Sequence, residues 1–238
     1  MKSRIALIIA AFLIGASLPV QPAFTASDDT YRPLRENMVK YQIQGRGIRD
    51  KAVLAAMNEV PRHLFVPNKL RYRAYNDYPL PIGLGQTISQ PYIVAFMTEL
   101  LQLNGSEKVF ELGTGSGYQA AVASRVAKEV FTVEIYSELA RSAAKRLNAI
   151  DYKNIHVRDG DGYYGWESEA PFDAIIVTAA ADHIPPPLIE QLAPGGRLVI
   201  PLGGPFSVQQ LILVTKDRKG KVMEKPIIPV RFVPLLGH

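Results

Sequence analysis

The chain has 238 residues, 47% of them hydrophobic and 21% charged, which suits one globular domain with an extension and excludes disorder or a collagen-like repeat. With no cysteine there is no disulfide scaffold, no thiolate zinc site and no cysteine nucleophile. Four histidines (His63, His156, His183, His238) lie scattered without ligand spacing, so no metal is expected. The 27 Lys+Arg against 22 Asp+Glu give +5, dispersed along the chain rather than gathered into a nucleic-acid footprint, and no nucleic-acid partner is expected.

At the amino end, Lys2 and Arg4 precede an apolar run from Ile5 to Leu18 and then Pro19–Ala23. This reads as a secretory signal peptide, with an uncleaved membrane anchor as the alternative, and residues 1–26 are set aside from the fold. Residues 27–106 read as a helical and loop extension, and residues 107–238 as an α/β core that forms one domain with it. In the extension, Tyr31–Gln44 and Asp50–Val60 are predicted helices; Ala52, Val53, Ala56 and Met57 recur at helical spacing and Pro61 stops the second. Residues 62–90 are dense in Tyr, Pro and Gly without clear period, which suggests a functional loop. Pro91 opens a third helix with Ile93, Val94, Phe96, Met97, Leu100 and Leu101 on its apolar face.

From Lys108 the pattern changes. Lys108–Leu112, Val130–Ile135, Ile155–Val157, Phe172–Val177, Arg197–Leu202, Leu211–Thr215 and Ile227–Val233 are β-type runs, with helical stretches at Gln119–Ala127 and Ser137–Ile150 and a helix expected to open at Leu188 after Pro185–Pro187. Strands alternating with helices imply βαβ units and a mostly parallel sheet covered on both faces.

The strongest chemical signal follows the first of these strands. Glu111-Leu112-Gly113-Thr114-Gly115-Ser116-Gly117-Tyr118 is a strand, a glycine-rich turn and a helix start, at the carboxyl end of a strand where open α/β sheets bind ligands. Tyr118 stands where a dinucleotide fingerprint requires glycine, which weakens a nicotinamide reading. Glu134 ends the second strand, where an acid accepts from two ribose hydroxyls; Asp161 and Gly162 follow the third, beside an adenine edge. No Lys or Arg lies in the loop, as suits a nucleoside without phosphates, and together these features suggest S-adenosylmethionine. The plainer readings are a structural turn at the glycines, a solvated strand end at Glu134 and a turn residue at Asp161. Glu111 either anchors the loop, faces the methionine ammonium or is structural.

The flanking segments carry a resemblance. Val60-Pro61-Arg62-His63-Leu64-Phe65-Val66-Pro67, Tyr78 through Pro91 with its Gly85-Gln86-Thr87-Ile88-Ser89-Gln90 core, Gly117-Tyr118-Gln119-Ala120-Ala121, Gly160-Asp161-Gly162, Pro194-Gly195-Gly196-Arg197-Leu198 and Val230-Arg231-Phe232-Val233-Pro234-Leu235 together resemble the protein-L-isoaspartate O-methyltransferases, over about Leu34 to Leu235. The resemblance implies a Rossmann-like methyltransferase fold with a seven-stranded sheet and an N-terminal helical extension. It implies a methyl ester formed from S-adenosylmethionine on the free carboxylate of L-isoaspartyl, and also D-aspartyl, residues of damaged proteins, with succinimide closure afterwards. By resemblance Gln86, Thr87, Ser89 and Gln209 are the acceptor side, with Ser89 catalytic, and Gly113, Thr114, Gly115, Gly117, Glu111, Glu134, Asp161 and Gly162 hold the cofactor. Ser is also a favoured cap for the helix near Pro91, and Gln209 can equally be an edge-strand polar residue. His63 is expected to pack or bond within its loop, and Trp166 to lie in the core or at its rim. The family suggests a cytoplasmic monomer; the leader suggests export or anchoring instead. The rival readings are a methyltransferase with another acceptor and an exported protein that binds without catalysis.

Overall fold

A computed structural model describes residues 30–204 and 207–238, so the leader expected over residues 1–26 lies outside the described residues. Tyr31–His238 forms one compact unit. Seven strands build its sheet: β3 (Lys108–Leu112), β4 (Glu129–Glu134), β5 (Ile155–Asp159), β6 (Phe172–Val177), β7 (Leu192–Leu202), β8 (Gln209–Lys216) and β9 (Val222–Val230). Their order is β5-β4-β3-β6-β7-β8-β9. The first five run parallel, whereas β8 lies antiparallel to β7 and β9 antiparallel to β8. The chain steps from β3 outward to β4 and β5, then crosses back to place β6 on the other side of β3. That reversal opens a crevice at the carboxyl end of β3, the place where open α/β sheets bind ligands.

The strands are apolar on both faces because both are covered. Val109, Ala174 and Ile176 face one cluster, which packs α2 (Lys51–Glu59), α3 (Pro91–Leu101) and α4 (Tyr118–Ala123) on the sheet, with Leu147 from α5 (Ser137–Ala149). Phe110, Leu112, Ile175 and Val177 face a second cluster, under Leu188 of α6 (Pro186–Gln191). Truncating Phe110, which is wholly buried, would cost about 3–5 kcal/mol.

The extension starts with α1 (Arg32–Asn37), which runs into a π-helical turn over Met38–Ile43 and a 3₁₀ turn ending at Arg46, in place of the one regular helix expected over Tyr31–Gln44. Asp50 caps α2, accepting from Ala52 N at 2.8 Å and Val53 N at 3.0 Å. Within the expected loop 62–90 lie two 3₁₀ turns and a small hairpin, β1 (Leu80–Gly83) with β2 (Gln86–Ile88). Its two-residue turn puts Leu84 at φ 51° and Gly85 at φ 72°, the positive pair that tight hairpins require.

Other boundaries differ from expectation as well, and β7 starts at Leu192 rather than Arg197. The sixth helix starts at Pro186, with Pro185 in the cap position. The helix after the glycine turn stops at Ala123 instead of Ala127. The last strand lies earlier than its apolar residues suggest: pairing of Lys216 with Val222 and Gln209 with Val230 fixes it on the sheet edge, where polar residues and Pro226 and Pro229 are tolerated.

Candidate active site

After β3 the chain turns through Gly113–Gly117 into α4. Gly113 has φ +98°, and a Cβ there would lie 2.4 Å from Thr178 Oγ1. The Thr178 hydroxyl donates toward the carbonyl oxygens of Gly113 and Leu112, at 2.7 and 2.9 Å, so the end of β6 clamps the turn. Gly162 is needed for room, not for φ: its Cβ would meet Leu112 Cγ at 2.6 Å. Glu134, at the end of β4, accepts from Gly115 N at 2.7 Å and from Tyr136 N at 3.0 Å. A carboxylate offers about four acceptor positions, so two backbone amides leave capacity for ligand hydroxyls. Gly113, Thr114, Gly115, Glu134 and Gly162 line one cleft, which encloses about 740 Å³ with its open mouth included. Its fourth side is the tail segment Val233–Leu236, held by Ala180 N to Val233 O at 2.8 Å and Leu235 N to Ala180 O at 2.7 Å.

A second cavity opens beside the first, lined among others by Tyr92, Arg231 and Phe232. Thr87, Ser89, Thr178 and Val233 line both cavities and so form the wall between them. The hairpin sets this up. Ile88 is buried in the core, which turns its neighbours Thr87 and Ser89 to the opposite side of the chain. The residue in the cap position of α3 is Gln90, and no side chain caps that helix end. Ser89 is therefore not spent as a helix cap.

Two buried ionisable groups support the site from beneath. Glu111 is fully buried; its Oε2 accepts from the Thr132 hydroxyl at 2.5 Å, and Thr132 Oγ1 lies 2.7 Å from Thr114 Oγ1 in the glycine turn. Burial pushes its carboxyl up to about 8, with the nearby Glu134 adding and the Thr132 bond opposing. Arg62 is also fully buried: Nε donates to Ala74 O at 2.8 Å, Nη2 donates to Ser89 O at 2.7 Å, and the guanidinium lies 4.7 Å from the Tyr118 ring centre.

A family model described as protein-L-isoaspartate(D-aspartate) O-methyltransferase matches residues 34–238. The chain belongs to that family. It is 62% identical over 217 residues to protein-L-isoaspartate O-methyltransferase 2 of Shewanella sediminis, covering 90% of this chain and 87% of that one. It is 52% identical over 231 residues to the protein of the same name in Syntrophobacter fumaroxidans, covering 93% of each. A solved protein-L-isoaspartate O-methyltransferase matches with TM-score 0.77 and 29% identity, over 85% of this chain and 66% of that one. A Plasmodium falciparum structure in complex with S-adenosyl-L-homocysteine shares the fold, with TM-score 0.72 and 24% identity over 85% of this chain and 98% of that one.

In this member of the isoaspartate methyltransferase family, the residues expected at the site fall into three groups. Gly113, Thr114, Gly115, Glu134, Gly162, Thr87 and Ser89 meet around the two cavities, and Gln86 lines the glycine-turn cleft rather than the second cavity. Gly117 and Glu111 lie behind the turn; a Cβ on Gly117 would meet Leu147 Cδ1 at 3.2 Å. Asp161 and Gln209 line neither cavity. Asp161 accepts from Tyr163 N at 2.9 Å and from His238 N, fastening the tail. Gln209 is buried and accepts from Phe232 N at 2.9 Å, which holds the strand end that carries Phe232. His63 bonds Tyr75 within the extension, with Nδ1 2.8 Å from the hydroxyl, and Trp166 packs edge-on against Phe131. The Thr178 hydroxyl, the Arg62 link and the tail wall escaped sequence reasoning. The arginine and the tail carried no signal beyond the resemblance.

Proposed function

We propose that this chain methylates the free side-chain carboxylate of L-isoaspartyl, and also D-aspartyl, residues in damaged proteins, using S-adenosylmethionine, and so starts their return to aspartate through a succinimide. The observation that carries the reading is the shared wall: two hydroxyl side chains, Thr87 and Ser89, face both the glycine-turn cleft and the neighbouring groove.

The cleft suits the donor. Its lining among the described residues contains an acid, Glu134, and no Lys or Arg, which favours a nucleoside over a nucleotide. Glu134 would accept ribose hydroxyls, and the Gly113–Gly115 backbone would lie along the amino-acid part. When bound, S-adenosylmethionine supplies an electrophilic methyl on a sulfonium sulfur. The acceptor carboxylate, with a pKa of about 4, is already ionised at neutral pH and needs no general base. Glu111 could not serve as one, because it is sealed beneath the turn and away from the cleft.

Attack of an anion on a cation neutralises charge, so alignment and exclusion of water do the catalytic work; well-oriented reactants gain roughly 7–11 kcal/mol in this way. Ser89 Oγ donates to one carboxylate oxygen and leaves the other free to attack. Thr87 helps to hold the same group. The groove lined by Tyr92, Phe232 and Arg231 receives the flanking peptide.

The test is transfer of labelled methyl to an isoaspartyl peptide and to its normal aspartyl twin. Base-labile ester on the first alone is expected; equal labelling of both, or of neither, refutes the assignment. No helix among the described residues is long and apolar enough to cross a membrane. We place the reaction in the cytoplasm, where the donor is made, and expect a monomer; recovery of the active chain only from an exported or membrane fraction would overturn the first, and a stable dimer on sizing the second.

A further inference from the structure

We infer that Arg62 is a positioning residue for methyl transfer, the link that fixes the Ser89 segment against the helix that leaves the glycine turn. The inference rests on the acceptor role proposed for Ser89.

Three segments meet on this one guanidinium. Nε holds Ala74 O, near the end of the second 3₁₀ turn, and Nη2 holds Ser89 O, on the wall between the cavities. Its face lies over Tyr118, the first residue of α4, directly after Gly117. The planar fork lets one side chain reach two carbonyls in different directions while stacking on a ring, which an ammonium cannot reproduce.

For stability alone this is an expensive arrangement. No carboxylate pairs with Arg62 among the described residues, and its Nη1 is buried without a hydrogen-bond acceptor. Burying a cation without a counter-ion disfavours folding, and apolar residues often fill such a site at no loss. What an apolar residue could not do is hold the Ser89 carbonyl. Ser89 follows the three-residue strand β2 and precedes a helix end that no side chain caps, so few other bonds fix it. A main chain held at its carbonyl holds the hydroxyl of the same residue in register with the cleft.

The test is a double-mutant cycle on the full chain, with Arg62→Met, Arg62→Lys, Ser89→Ala and the two paired variants. Readouts are kcat and KM for an isoaspartyl peptide and S-adenosylhomocysteine affinity by calorimetry. Arg62→Met is expected to lower kcat roughly 10- to 100-fold while S-adenosylhomocysteine affinity stays within about threefold, and Arg62→Lys to recover part of the rate. On the Ser89→Ala background the same change should cost less than about threefold, because there is no hydroxyl left to misplace. Independent, multiplying losses overturn the inference, as does a parallel loss of S-adenosylhomocysteine binding. If Arg62→Met does not fold, Arg62→Lys carries the cycle; if neither folds, Arg62 is structural and the inference falls. A wild-type chain that methylates no isoaspartyl peptide refutes the proposed function itself, and the inference with it.

Discussion

Replacing Glu111 by Gln should make the protein more stable, and by an amount that depends on pH. The carboxyl is sealed between β3 and α4, and burial raises it from 4.5 to about 8. A folded-state pKa above the unfolded value means the folded chain binds the proton more tightly, so stability is full below pH 4.5 and declines as pH rises to about 8, above which the loss is complete. The interval of 3.5 pH units, at about 1.36 kcal/mol each, sets a ceiling on the order of 5 kcal/mol. Glutamine keeps the shape and a hydrogen bond to Thr132 but has no proton to lose. Urea unfolding of both proteins from pH 4.5 to 9 would measure the difference, in which titrating groups that do not interact with Glu111 cancel. The variant should gain on the wild type steadily across that window and hold a constant lead above it. Stability curves that run parallel over the whole range would refute the reasoning and place Glu111 in a far more polar setting than its burial implies.

Three further outcomes follow from the site. Ser89→Ala removes a hydrogen bond to a charged acceptor, worth about 1.5–3 kcal/mol, so kcat/KM for an isoaspartyl peptide should fall roughly 10- to 150-fold with S-adenosylhomocysteine affinity unchanged in calorimetry. Glu134→Gln should do the reverse: affinity for S-adenosylhomocysteine falls about 10-fold or more, because the charge that accepts from Gly115 N and Tyr136 N is gone, while the peptide KM holds. Gly113→Ala combines left-handed strain of about 1–3 kcal/mol with a Cβ 2.4 Å from Thr178 Oγ1, whereas Gly195→Ala, at φ +87° with nothing within 4 Å, carries the strain alone; thermal unfolding of the pair should separate the two costs, and equal midpoints would show that the clash relaxes away.

What the sequence revealed of this molecule follows from how local each feature is. The parallel strands were legible because a sheet covered on both faces reads as continuous apolar runs, as Ala174–Val177 does and as Val109–Leu112 does apart from Glu111. Glu134 was legible because the end of the second strand must abut the glycine turn, and its carboxylate does hold Gly115 N. The hairpin at Leu80–Ile88 was not, since strands of four and three residues are too short for an alternating pattern. The acceptor side came from resemblance; nothing in its spacing would have identified Ser89. The bond from Arg62 to Ser89 spans 27 residues, and the tail reaches the glycine-turn cleft from the far end of the chain. Contacts of that kind depend on how separate elements dock, and no window of sequence contains both partners.

The two-residue turn at Leu84-Gly85 has a consequence for anyone redesigning this enzyme. Side chains alternate along a strand, so an inserted residue that slipped the register by one would exchange inside for outside: Ile88 would swing toward solvent and the two hydroxyls would be driven into packed apolar space. A one-residue insertion at the tip is tolerated only where a wider loop or a bulge absorbs it, as the irregularity between Pro81 and Gly83 already does, whereas an insertion of two preserves the parity and lifts the loop outward. The chemistry is thus sensitive to an odd or even count some distance from any reacting atom, a constraint that a library varying only side chains would never encounter.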